Sequence, residues 1–304
     1  MANDRMKIGV QLPEVEWEVT FPELIMMART AESVGFDSLW LGDHLLYALD
    51  VGDRGPWEVW TSLAAIAAST STIHLGPLVA STSFHAPAML AKMATTVDAI
   101  SGGRLTLGLG AGWNQREYDA FGFAYDRRVS RFAEAFTIIR TLLREGAIDF
   151  HGEFYDADRC VLHPRSSEPG PPLMVGSIGS RMLDVTLPHV AAWNMWWSQY
   201  GNTADGFRRE KERVDELILA AGRGPDEVKA TAAVLIRLDT GTGRQMGDYD
   251  DYNTVRPLTG SAEELADQLR EFEAAGAAHV QLVVDPITVA SIEWLTDVLT
   301  AFRR

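Results

Sequence analysis

Lys7-Ile8-Gly9-Val10-Gln11-Leu12-Pro13-Glu14 contains the first regular element of the chain, and the step out of it decides between two architectures. Lys7–Gln11 reads as a strand. A doubly wound open sheet needs a phosphate-binding turn after its first strand. Gln11-Leu12-Pro13-Glu14 offers none. Outward from this point, short β-branched apolar runs alternate with longer segments of helical period, the pattern of repeated βα units and a parallel sheet.

Further strands are expected at Ser38–Leu41, Ile73–Val79, Leu105–Leu109, Leu173–Val175, Ala191–Met195, Val228–Leu238 and His279–Val284. Helices are expected at Phe21–Val34, Glu58–Ser69, Pro87–Ile100, Arg128–Arg144, Ser180–Leu187, Ala204–Ala221, Ala262–Ala275 and Ala290–Phe302. Thr20 is placed to cap the first helix and Gly35 to end it. Eight units of each kind close on themselves, so residues 1–304 are read as one α/β domain, a (β/α)₈ TIM barrel. The rhythm breaks between Gly146 and Pro172. There Phe150–Tyr155 looks like a tight hairpin and Ser166–Pro172 like a loop, and the stretch 146–172 is too short for a core of its own. It reads as an insertion.

Composition excludes several classes. The formal net charge of −15 leaves no basic footprint for nucleic acid. No apolar run approaches the roughly 20 residues that span a bilayer, so no membrane partner is expected. Met1–Val10 lacks the apolar stretch of a secretory signal. Cys160 is the only cysteine, which fits a reducing cytoplasm.

A barrel carries its site at the C-terminal ends of its strands. Those ends collect Gln11, Asp43-His44, Val79 to Thr82, Gly110 to Asn114, Gly176 to Arg181, Asn194 to Trp197, and Asp285. The ordinary imidazole pKa of about 6.5 suits His44 to proton transfer near neutrality, although a strand-end histidine can also be structural. Gly108 to Asn114 is rich in glycine, but the dinucleotide fingerprint needs an acid at a strand end about 20 residues on, and Glu134 lies within a helix. Gly176-Ser177-Ile178-Gly179-Ser180-Arg181 follows a strand and opens a helix. It offers free N–H groups, a hydroxyl and a guanidinium, the elements of a phosphate site; the alternative is an ordinary turn with a solvated arginine. Trp193, Trp196 and Trp197 can wall an aromatic ligand or simply pack. The seven histidines are scattered without HExxH spacing, so no metal is expected. No GxSxG elbow supports hydrolase chemistry.

Taken together, these residues resemble the luciferase-like flavin monooxygenases, and within them the branch that uses coenzyme F420, a 5-deazaflavin. The resemblance covers nearly the whole chain. It is carried by the run from Asp98 through Ser101-Gly102-Gly103-Arg104 to Gly112-Trp113-Asn114, by Glu117-Tyr118 and Phe121-Gly122, and by Gly42-Asp43-His44. Ala31-Glu32, Gly35 to Trp40 and Leu90-Ala91-Lys92 support it.

The resemblance implies that Asp43 and His44 stand against the cofactor ring, with His44 moving a proton. It implies a non-prolyl cis peptide at Leu78-Val79 behind the ring. Ser81, Gly112 and Asn114 would lie near the ring and polar tail, and Gly176, Ser177, Gly179, Ser180 and Arg181 would hold phosphate. Trp113 stands where some deazaflavin dehydrogenases carry a catalytic glutamate, and Gly-Ser-Ile-Gly replaces a run of three or four glycines. The implied reaction is reversible hydride transfer between the deazaflavin C5 and a small organic substrate. The alternatives are an FMN-dependent monooxygenase using reduced flavin and oxygen, and a non-catalytic cofactor-binding protein. A homodimer is implied, with 45–57 and 146–172 as candidate lids.

Overall fold

A computed structural model describes residues 5–49, 52–165, 168–242 and 255–304. Lys7–Gln11 is a strand whose side chains from Ile8 onward are buried. It pairs in parallel with Ser38–Leu41 on one edge and with His279–Asp285 on the other. Burial on both faces is why these strands read as continuous apolar runs instead of alternating ones.

From His279–Asp285 the parallel sheet continues through Lys229–Arg237, Ala192–Met195, Leu173–Gly176 and Leu107–Gly110. Its two ends are His74–Pro77 and Ala80–Ser81, which are consecutive in the chain. Leu107–Gly110 meets the second of these through Ala80 and Ser81, and the bridge Leu75–Leu105 ties it to the first. The third barrel strand is thus two short pieces, not the single Ile73–Val79 strand expected. Its ladder breaks at Leu78-Val79, which is a cis peptide. The fourth begins at Leu107, not Leu105.

The helices follow the expected order with ends shifted by a residue. The first runs over Phe21–Val34, where the Thr20 N–H and hydroxyl both donate to the Glu23 carboxylate. Glu58 caps the second helix, Val59–Ser69, by accepting from Trp60 and Thr61 N–H. Arg104, only 8% exposed, stitches this helix to the sheet. Its five N–H positions reach Ser101 O, Thr70 Oγ1, Ile73 O, Ala67 O and Thr70 O at 2.7–3.0 Å.

The stretch 146–172 contains a two-stranded antiparallel ribbon, Ala147–His151 with Asp156–Val161, outside the barrel sheet. It is longer than the Phe150–Tyr155 hairpin expected. Glu134, on the helix Arg128–Glu145, accepts from the N–H groups of Glu153, Phe154 and Tyr155 at the ribbon's turn. A second ribbon, Tyr47–Leu49 with Gly52–Arg54, lies within the loop after the second strand. Asp50 of the 45–57 loop and Ser166 of the Ser166–Pro172 loop fall outside the described residues. No helix among the described residues is long and apolar enough to cross a membrane.

Candidate functional site

The C-terminal ends of the strands surround a cavity of about 470 Å³, a size that suits a cofactor or small ligand. Asp43 and His44 form one side of it, and Leu78, Val79 and Ser81 the adjoining wall. Gly112, Gly176, Ser177 and Gly179 also line it. Val79 protrudes because glycines yield to it: a Cβ on Gly110 or on Gly176 would stand 2.7 Å from a Val79 methyl.

Past the end of the second strand, the side chains of Asp43 and His44 diverge. Asp43 Oδ2 accepts the Ser81 N–H at 2.8 Å and lies 3.6 Å from His85 Nε2, so this carboxylate ties two strand ends together. His44 turns to Glu117. Its Nδ1 lies 3.2 and 3.0 Å from the two carboxylate oxygens, and Glu117 Oε1 also accepts the Leu45 and Leu46 N–H groups at 2.5 and 3.1 Å. Glu117 is an acceptor, so Nδ1 carries the hydrogen and Nε2 is left as the atom available to a ligand.

Burial by itself pushes the His44 imidazole down. The Glu117 hydrogen bond, followed by the charges of Glu14, Glu117 and Asp43, outweighs it and raises the pKa above the usual 6.5. A raised histidine stabilises the fold fully below its unfolded pKa and loses that contribution as pH rises through the folded value. Glu117→Gln is therefore expected to lower the His44 pKa and shrink the loss of stability above neutrality. NMR titration of the His44 ring in both proteins tests this, and an unmoved midpoint counts against the pairing.

Two acids that the sequence reading left out of the site belong to its wall. Glu117 rides on a short helix, Gln115–Phe121, that is not among the expected helices. Its appearance beside Tyr118 in the quoted motif was the available signal. Glu14 follows the first strand and is 6% exposed. Its carboxylate accepts the Tyr47 hydroxyl at 2.8 Å and the Gln11 side-chain amide. Gly42 makes the seat, since a Cβ there would stand 2.1 Å from Glu14 Oε1.

Not every expected residue lines the cavity. Asn114, Ser180 and Arg181 are not among the residues lining the cavity. The Asn114 amide donates to Leu46 O, bracing the loop beside Glu117, and the exposed Arg181 reaches Ser130 Oγ at 2.9 Å. The cation on the wall is Arg128, which stacks on Tyr125 at 4.1 Å and donates to Gly112 O. Its place at a helix start carries no sequence mark. Trp196 lines the cavity, whereas Trp193 stacks on Phe207 in the core and Trp197 is fully buried. Trp113 packs edge-on against the His44 ring at 5.5 Å. Asp285 pairs with Arg237 at 3.0 Å. Among the described residues, Asp149, His151 and Asp158 come close enough to share a metal ion, but they are exposed on the inserted ribbon.

The residues fit a planar cofactor with an anionic tail. Val79 and its glycines supply a shaped wall, Ser177 a hydroxyl, and Arg128 the positive charge.

A family model described as luciferase-like monooxygenase matches residues 6–242. The 5,10-methylenetetrahydromethanopterin reductase of Archaeoglobus fulgidus is 29% identical over 236 residues, 77% of this chain and 65% of that protein. The matched stretch thus spans less than two thirds of that relative. The pyrimidine monooxygenase RutA of Escherichia coli is 26% identical over 270 residues, 82% of this chain and 71% of that protein. In fold, the chain is similar to an F420-dependent secondary alcohol dehydrogenase in complex with an F420-acetone adduct. The TM-score is 0.84 at 18% identity, with 99% of this chain and all of the other covered.

Proposed function

The chain belongs to the luciferase-like monooxygenase family, and from that premise we propose that it is an oxidoreductase using coenzyme F420 on a small organic substrate. The observation that carries the reading is the His44–Glu117 pair at the mouth of the cavity, with a ring nitrogen left for a ligand. A deazaflavin held there supplies hydride exchange at its C5. His44 Nε2 gives or takes the accompanying proton, and Glu117 holds the ring in the tautomer this requires. Val79 and Ser81 would back the flat group, while Ser177 and Arg128 would meet its anionic end. Asp43 keeps the Ser81 backbone in register with His44.

Titration of the purified protein with coenzyme F420 and, separately, with FMN tests the cofactor. Micromolar or tighter binding of F420, with FMN much weaker, is the expected result. Binding of FMN alone would replace this reading with an FMN-dependent monooxygenase, which the likeness to the pyrimidine monooxygenase favours. Cofactor binding without turnover on a broad substrate panel would point to a non-catalytic carrier.

A further inference from the structure

The cavity lining sets three carboxylates against one arginine. Glu14, Asp43 and Glu117 all contribute to its lining, and Arg128 also lines it, beside Gly112. The three acids are not equivalent. Glu117 is matched by His44 and two backbone N–H groups, and Asp43 by the Ser81 N–H with His85 nearby. Glu14 is held by neutral donors, the Tyr47 hydroxyl and the Gln11 amide. Its seat is built for it, because Gly42 leaves the space that the carboxylate occupies. A carboxylate that is almost fully buried, placed on a ligand cavity and held by neutral groups keeps the capacity to accept a further hydrogen bond and repels a second anion. Trp113, which packs against His44 and Tyr47, adds an apolar face to the cavity lining.

We infer that Glu14 is a specificity-determining residue that accepts a hydrogen bond from a substrate N–H or O–H in the cavity. The pocket then takes uncharged or cationic donors, alcohols and amines, beside Glu14 and turns away carboxylates and phosphates there. This deepens the oxidoreductase reading and rests on it for the word substrate. The charge preference itself is a property of the cavity and can be measured without turnover.

Three probes of similar size separate the outcomes: benzylamine (cationic), benzyl alcohol (neutral) and benzoate (anionic). Each is titrated by calorimetry into protein saturated with coenzyme F420 and, in parallel, with FMN. The wild type is expected to bind benzylamine and benzyl alcohol at least about 10-fold more tightly than benzoate. Glu14→Gln keeps the shape and removes the charge, so the advantage of benzylamine over benzoate should collapse by a similar factor. Tyr47→Phe removes one neutral donor and leaves the carboxylate, so benzylamine should bind as well or better.

Benzoate binding as tightly as benzylamine in the wild type overturns the inference. So does an unchanged ranking in Glu14→Gln, or a loss of benzylamine preference in Tyr47→Phe. Should Glu14→Gln fail to fold, the wild-type and Tyr47→Phe rankings still decide. A protein that saturates only with FMN sinks the deazaflavin reading but leaves the ranking of probes as the test of Glu14. The two failures are therefore distinguishable.

Discussion

Replacement of His44 by alanine is expected to lower kcat by about 10²–10⁴-fold, the usual contribution of a positioned acid or base, while cofactor affinity changes little. His44 is 17% exposed at the cavity and is held through Nδ1, which leaves Nε2 to the substrate. The groups that back a flat ring come from other strands, so alanine removes a proton donor without removing the bed. Steady-state kinetics with an identified substrate, read beside a cofactor titration, measures both quantities. Unchanged turnover would remove His44 from the reaction. Glu117→Gln should cost less than His44→Ala, and adding it to His44→Ala should cost little more, because its effect runs through the imidazole.

The second large effect concerns stability. Arg104→Met is expected to destabilise the fold by about 3–5 kcal/mol. The guanidinium has five N–H donors, and its bonds reach acceptors on Ala67, Thr70, Ile73 and Ser101. Methionine fills much of the volume but leaves carbonyls of Ala67, Thr70, Ile73 and Ser101 short of a donor in a buried setting. Arg104→Lys should also be costly, since an ammonium has three donors and no planar fork. Urea unfolding with an unchanged slope and a lower midpoint is the expected record. A loss below about 1 kcal/mol would show that water takes over the bonds.

These two residues also illustrate what the sequence could tell. His44 was legible because strand ends in a barrel converge, and the strands Lys7–Gln11 and Ser38–Leu41 stand where their apolar runs placed them. The helix Phe21–Val34 was legible from its cap and its terminating glycine. Glu14, Glu117 and Arg128 were not placed in the site. They lie just past a strand, on a seven-residue helix and at a helix start. In such places side-chain direction depends on tertiary packing, not on a period of 2 or 3.6. For the same reason Ile73–Val79 read as one strand: an apolar run does not reveal where the backbone leaves its ladder. Trp193 and Trp197 went to the core because an indole at a strand end is equally at home on either side of the wall. Arg181 follows a strand end in sequence, but where its long side chain reaches, here to Ser130, is not written in that adjacency.

The pairing of Lys7–Val10 with His279–Leu282 has a consequence in time. One edge of the first strand finds Ser38–Leu41 soon after synthesis, but its other edge has no partner until the last strand leaves the ribosome. At about 5–20 residues per second that interval is roughly 15–55 s. Throughout it a buried-type strand presents unpaired N–H and C=O groups, the condition that invites pairing with another chain. The nascent barrel is therefore most exposed to aggregation before His279–Asp285 appears, and slower translation of the stretch leading to it should lower the soluble yield.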